Sequence, residues 1–342
     1  MAKSKILLIY TGGTIGMMQD VKTGSLKPFD FKSLTNQVPE LNKFDVELSS
    51  ISFGKPIDSS NMHKDVWVKL ANIIKDKYSK FDGFVILHGS DTMSFTASAL
   101  SFMLENLSKP VILTGSQLPI GIIRTDGKEN LITAIEIAAA KNNKGKSIIQ
   151  EVCIYFEYKL YRGNRTFKYN SEHFDAFKSP NYPFLGEAGV EIQYNERAFL
   201  KQSSKALKVH TELDNDILVL KLFPGLSKKI TISLLNTKGI KAIILETFGA
   251  GNATTEEWFI NGLKSAIAKG IVILNVTQCH EGRVVQGMYE TSRQLKNIGV
   301  VSGHDITYES AVTKLMFLLG QKLQPKKVKD LLEKNLRGEL TE

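Results

Sequence analysis

Seven short apolar runs punctuate the chain: KILLIY (5–10), GFVILHG (83–89), KPVILTG (109–115), EVCIYF (151–156), DILVLKLF (216–223), KAIILETFG (241–249) and GIVILNVTQ (270–278). Many are apolar at successive positions instead of alternating. Strands covered on both faces read this way. Segments with helical spacing lie between them, at 65–78, 92–107, 130–141, 256–269 and 310–319. Strand and helix in alternation imply an α/β fold with mainly parallel sheets and crossover helices. At 342 residues the chain exceeds what one core usually serves, so two α/β domains are expected. The stretch 190–212 turns polar and lysine-rich. It divides the chain into an N-terminal domain at 1–190, a connecting segment at 191–212 and a C-terminal domain at 213–342.

Bulk chemistry narrows the class. The chain is 42% hydrophobic and 23% charged, a globular balance and not a disordered one. Its net charge of +9 is spread out and not gathered into a stripe interleaved with aromatics, so no nucleic-acid partner is expected. The densest lysine cluster, 322–334, alternates with Asp330 and Glu333 as a solvated helix face would. Cys153 and Cys279 are too few for a disulfide framework and read as plain buried thiols of a reducing compartment. The apolar run near the N-terminus is short and lacks a small-residue cleavage site, and no run approaches a membrane span. A cytoplasmic protein with no membrane partner is expected.

Ligands of open parallel sheets bind beyond the carboxyl ends of the strands. Three of those ends pair glycine with hydroxyls: Thr11-Gly12-Gly13-Thr14, His88-Gly89-Ser90-Asp91-Thr92 and Thr114-Gly115-Ser116-Gln117. All lie in the first half, which points to one shared pocket lined by hydroxyls and backbone N–H groups. Phosphate chemistry fits poorly. TGGTIGMM lacks the P-loop pattern, and in FGAGNAT (248–254) Thr254 stands where a dinucleotide fingerprint needs its third glycine. The six histidines form no ligand-spaced pair and there is no CxxC, so no metal is expected. No GxSxG elbow appears, and His88 reads as a packed or hydrogen-bonded strand-end residue. What remains is a hydroxyl nucleophile served by a base other than histidine. Lysine can be that base when a carboxylate positions it. Asp91 occupies a suitable loop. Lys168 ends the polar segment YRGNRTFK (161–168); from spacing alone it reads as an exposed loop lysine.

The motifs TGGTIG, GFVILHGSDTM, TGSQLP, LYRGNRT, FGAGNA and NLRGELT, in that order across nearly the whole chain, closely resemble the cytoplasmic type I bacterial L-asparaginases. The resemblance implies an amidohydrolase that converts asparagine to aspartate and ammonia through an acyl-threonine, without a cofactor. It implies a homodimer, often paired into a homotetramer. Carried over by position, Thr14 matches the nucleophile, and Ser90 stands where the family usually has threonine. Asp91 would hold the substrate's α-ammonium and support the base, and Lys168 would activate the attack. Asp58-Ser59-Ser60 matches the loop gripping the α-carboxylate and α-amino groups; the same residues would also suit a helix cap before Asp65. Backbone N–H groups near Thr14 and Ser90 would stabilise the oxyanion.

Three departures follow. Ser25 stands where relatives often carry a tyrosine after the first motif, and Tyr289 is a candidate replacement. Glu246 occupies the position of an arginine that, with the triplet matching Thr277, Gln278 and Cys279, forms a second asparagine site in some relatives. A carboxylate cannot grip an α-carboxylate as a guanidinium does, so weak or absent allosteric activation is expected. Phe167 replaces a small hydroxyl residue beside Lys168. The rival readings are a glutamine-tolerant amidase and a catalytically silent amino-acid sensor; the presence of Thr14, Asp91 and Lys168 together favours the enzyme.

Overall fold

The computed structural model describes residues 3–19, 26–28, 38–287 and 290–341. The chain divides into two compact units, residues 1–211 and 212–342. Ser25 and Tyr289 lie outside the described residues.

The first unit is built on an eight-stranded sheet. Its strands are β1 (Ser4–Tyr10), β2 (Val46–Ser52), β3 (Gly83–Leu87), β4 (Val111–Thr114), β5 (Val152–Phe156), β6 (Lys159–Arg162), β7 (Gly186–Ala188) and β8 (Ile192–Tyr194). The spatial order is β8-β7-β6-β5-β4-β3-β1-β2. From β2 to β5 all pairings are parallel, and β5–β6, β6–β7 and β7–β8 are antiparallel. β3, β4 and β5 are buried at every position, as successive apolar residues require. Helices α1 (Lys64–Lys77), α2 (Met93–Met103) and α3 (Gly127–Ala139) cross between them.

Three sequence expectations change here. The helix expected over 92–107 stops at Met103, because Leu104 and Glu105 pair antiparallel with Val209 and Lys208. Strand β8 falls inside the expected connection at 191–212, so that stretch begins as part of the first unit's sheet. Cys153 is buried as expected, but Cys279 is exposed.

The second unit holds a four-stranded parallel sheet: β9 (Ile217–Lys221), β10 (Ala242–Thr247), β11 (Val272–Thr277) and β12 (Val301–Ser302), in sequence order. Helices α4 (Lys228–Leu235), α5 (Glu257–Ala268), α6 (Glu290–Asn297), α7 (Tyr308–Gly320) and α8 (Pro325–Leu332) accompany it. The lysine cluster lies around α8, which buries Val328 and Leu332 and exposes Lys326 and Lys327. The NLRGELT segment forms a clasp. Glu339 accepts from the backbone N–H groups of Leu336 and Arg337, and Asp305 accepts from the backbone N–H and the hydroxyl of Thr341. Among the described residues no helix is long and apolar enough to cross a membrane.

Candidate active site

Glycine lets three strand-end loops of the first unit press together. Thr11 ends β1 and bonds to the Leu87 carbonyl through both its N–H (3.1 Å) and its hydroxyl (3.0 Å). Gly13, at φ 88°, lies so close to the next loop that a Cβ there would come within 2.4 Å of the Gly89 nitrogen. A Cβ on Gly115 would meet the His88 carbonyl at 2.4 Å. No residue with a side chain fits either place. Thr14, half-buried, opens the single 3₁₀ turn Thr14–Gly16 immediately after this contact. Tyr10 braces the turn by donating its hydroxyl to the Gly16 carbonyl at 3.1 Å; burial pushes that phenol up to about 12.

His88 is wholly buried under the second loop. Its Nδ1 faces the Gly89 carbonyl at 2.7 Å, so it carries the hydrogen there. Nε2 then accepts from the Thr96 hydroxyl at 2.8 Å, and Thr96 accepts from the Trp67 indole at 3.0 Å. Burial pushes the imidazole down to about 4, which keeps it neutral. The histidine is a strut, as its strand-end position predicts.

Beyond that strut lies a charged cluster. Lys168 lies 78 residues after Ser90, yet its Nζ donates to the Ser90 hydroxyl at 2.9 Å and to the Asp91 carboxylate at 2.6 Å. The ribbon pairing Phe167–Lys168 with Phe177–Lys178 delivers it, with Phe167 buried at its root. The Lys168 side chain is 16% exposed and that of Asp91 62%. The structure thus brings Ser90, Asp91 and Lys168 into contact, and replaces the exposed-lysine reading of Lys168 with a half-buried, paired one.

Asp58 caps a different element from the one expected. It accepts from the Ser60 N–H (2.9 Å) and hydroxyl (2.6 Å), closing the 3₁₀ turn Ser59–Asn61, while His63 precedes α1 without a side-chain cap. These bonds hold the Asp58 carboxyl below the usual carboxylate range. Ser59 is buried and its carbonyl accepts from Thr92, whereas Asp58 and Ser60 are exposed. The loop is tied to the first by a bond from the Ile57 N–H to the Thr11 carbonyl at 2.8 Å.

The sequence places Gln117 at the third strand end without giving its side chain a role, and it does not single out the residue that fixes it. Gln117 accepts from the Ser90 hydroxyl at 3.2 Å. The buried Asp126 carboxylate accepts from the backbone N–H groups of Gln117 and Leu118, and Asn130 bridges Asp126 to the Gly115 carbonyl. Both residues stand in or near the TGSQLP stretch, but a neutral amide and a carboxylate that holds loop backbone carry no chemical signature.

In the second unit, Glu246 ends β10 near Lys221, at 4.0 Å. Thr277 donates to the Gly249 carbonyl and accepts from the Cys279 N–H; Gln278 donates to the carbonyls of Leu222 and Glu246. The triplet is present, with the Thr277 hydroxyl and the Gln278 amide nitrogen engaged by backbone. Among the described residues no group of three or more histidines, cysteines and carboxylates is arranged to hold a metal ion.

These features have counterparts in known proteins. Residues 5–200 match the family model for the asparaginase N-terminal domain, and residues 216–332 match that for the glutaminase/asparaginase C-terminal domain. The chain is 42% identical to L-asparaginase 1 of Escherichia coli K12, covering 100% of this chain and 99% of that protein. It is 38% identical to a Mus musculus protein named 60 kDa lysophospholipase, covering 98% of this chain and 62% of that one. The crystal structure of L-asparaginase I from Vibrio cholerae superposes with a TM-score of 0.91 at 39% identity, over 99% of this chain and 100% of that one. With both domain models matched and full-length relatives of this similarity, the chain belongs to the asparaginase family.

Proposed function

We propose that this protein hydrolyses the side-chain amide of L-asparagine to L-aspartate and ammonia through an ester on Thr14. The observation that carries the reading is the convergence of Lys168, Ser90 and Asp91 beside a glycine loop that ends in Thr14. A threonine hydroxyl attacks an amide only when a base takes its proton. In this scheme neutral Lys168 takes it by way of Ser90 while Thr14 Oγ bonds to the amide carbon. The proton passes to the departing nitrogen, which leaves as ammonia. Water then attacks the ester carbon and restores the Thr14 hydroxyl. Backbone N–H groups near Thr14 and Ser90 face the oxyanion in both steps. Asp58, Ser59, Ser60 and Asp91 hold the substrate's α-groups, with the Asp58 carboxyl kept ionised by Ser60.

The test is ammonia release from asparagine, glutamine and buffer alone. Thr14→Ala should lose at least about 10³-fold in kcat while still binding aspartate. Full turnover by Thr14→Ala would overturn the assignment of the nucleophile. Aspartate binding by the wild type without any ammonia release would make the protein a sensor. We further infer a cytoplasmic homodimer, pairing into a tetramer, from the resemblance; light scattering on the purified protein checks the assembly.

A further inference from the structure

We propose that Gln117 is a positioning residue for the amide hydrolysis, one that fixes the rotamer of Ser90. The inference rests on the reading of Ser90 and Lys168 given above. Both ends of the Gln117 amide are engaged. Nε2 donates to the His173 backbone carbonyl at 3.1 Å. A backbone carbonyl only accepts, so the nitrogen must be the end that faces it, and Oε1 must face Ser90, 3.2 Å away. An amide oxygen also only accepts, so the Ser90 hydrogen points at Gln117. The Ser90 oxygen then offers its lone pair to Lys168 at 2.9 Å. At rest Ser90 is thus held from two sides, as donor to Gln117 and acceptor from Lys168; when the relay runs, the hydroxyl hydrogen turns from Gln117 to neutral Lys168 while Oγ keeps its place.

The pin matters because position 90 is serine. Threonine has a branched Cβ that restricts χ1 by itself, whereas serine can visit all three staggered wells. In two of those wells Oγ leaves its place between Lys168 and Gln117. Gln117 supplies from outside the restriction that a γ-methyl would supply from within. Its own place is secured by backbone bonds from residues 117 and 118 to the buried Asp126 carboxylate, which a change of side chain at 117 leaves intact.

The experiment is steady-state kinetics on asparagine for wild type, Gln117→Met, Gln117→Ala, Ser90→Thr and each Gln117 variant combined with Ser90→Thr. Misplacing a catalytic group by about an ångström costs on the order of 10²-fold. Gln117→Met and Gln117→Ala should therefore lower kcat by about 10–100-fold with KM changed by less than about 3-fold. With the Ser90→Thr enzyme as its own reference, adding either Gln117 variant should lower kcat by less than about 5-fold. A Gln117 variant that keeps kcat within about 2-fold of wild type, or a loss that Ser90→Thr does not relieve, would overturn the proposal. Wild-type enzyme inert toward asparagine would instead sink the functional reading on which it rests.

Discussion

Two lysine–carboxylate pairs in this chain have the same length and opposite purposes. Lys168–Asp91 in the first unit and Lys314–Glu339 in the second both measure 2.6 Å. Lys314 and Glu339 have no exposed side-chain surface, and every donor of the ammonium is used: Glu339, the Leu332 carbonyl at 2.9 Å and the Lys334 carbonyl at 2.7 Å. Burial pushes the Lys314 amine down while Glu339 pulls it back toward the charged form. Among the described residues Lys168 bonds to Ser90 and Asp91, and it retains a path to solvent. A saturated pair can only hold chain segments together. A half-buried pair with a hydroxyl partner can move a proton once the amine is neutral. The difference comes from what holds the backbone. Around Lys168 the loops are fixed by glycine-to-backbone contacts, by His88 and by Asp126, which frees the polar side chains. In the second unit the polar side chains hold the loops themselves: Thr247 bonds to Asn275, Asn275 to the Gly251 carbonyl, and Glu339 to the clasp.

Lysine-to-methionine exchanges separate the two pairs most sharply. Lys168→Met should lower kcat by about 10³–10⁴-fold, which is about 4–5 kcal/mol of barrier, and leave the urea midpoint nearly unchanged. Lys314→Met strands a buried carboxylate and should cost about 3–5 kcal/mol of stability. A Lys168→Met enzyme with full turnover, or a Lys314→Met protein as stable as wild type, would erase the contrast.

The buried ionisable groups of the two units also respond to pH with opposite signs. His88 titrates near 4 in the fold against 6.5 when free, so between those values the unfolded chain holds more protons. Its environment is satisfied above pH 6.5, and stability falls as pH drops toward 4, by at most about 3 kcal/mol. Desolvation, with the nearby Glu246 charge as a lesser cause, pushes Glu309 up to about 7. There the folded state holds the extra proton, so stability falls as pH rises from 4.5 to 7. Denaturation followed from about pH 4 to about pH 8 should show Glu309→Gln stabilised at the alkaline end and unchanged at the acid end. His88→Gln should lose the acid-side decline. Parallel curves for wild type and Glu309→Gln would refute the assignment in the second unit.

The same division explains which elements are legible in the sequence and which are hidden. β3, β4 and β5 are legible because burial on both faces demands apolar residues at successive positions. β2 is not, because on this edge strand the adjacent Ser49 and Ser50 break the alternation that would mark Val46–Ser52 as a strand. The hairpin from β5 to β6 hides its turn, since Glu157 and Tyr158 adopt positive φ without glycine. The loop glycines betray where the strand-end loops meet, for only they permit such close approach. Lys168 is invisible to spacing, because a two-residue ribbon delivers it from far along the chain. Its role is legible only through the resemblance to the asparaginases. For Gln117 the place is legible at the third strand end but its bonds to Ser90 and His173 are not, since a neutral amide carries no chemical signature.

The smallest expected effect concerns the second unit's triplet. If its side chains are committed to backbone, asparagine should find no regulatory grip there. Thr277 is occupied by the Gly249 carbonyl and the Cys279 N–H, Gln278 by two carbonyls, and Glu246 would repel an α-carboxylate. Velocity against asparagine should therefore be hyperbolic. Glu246→Arg should change kcat and KM by less than about 3-fold, because one guanidinium restores only half of a two-sided site whose other half is spent. A clearly sigmoidal wild-type curve would mean that these backbone bonds exchange for a ligand. The second unit would then share the first unit's property of keeping polar side chains available.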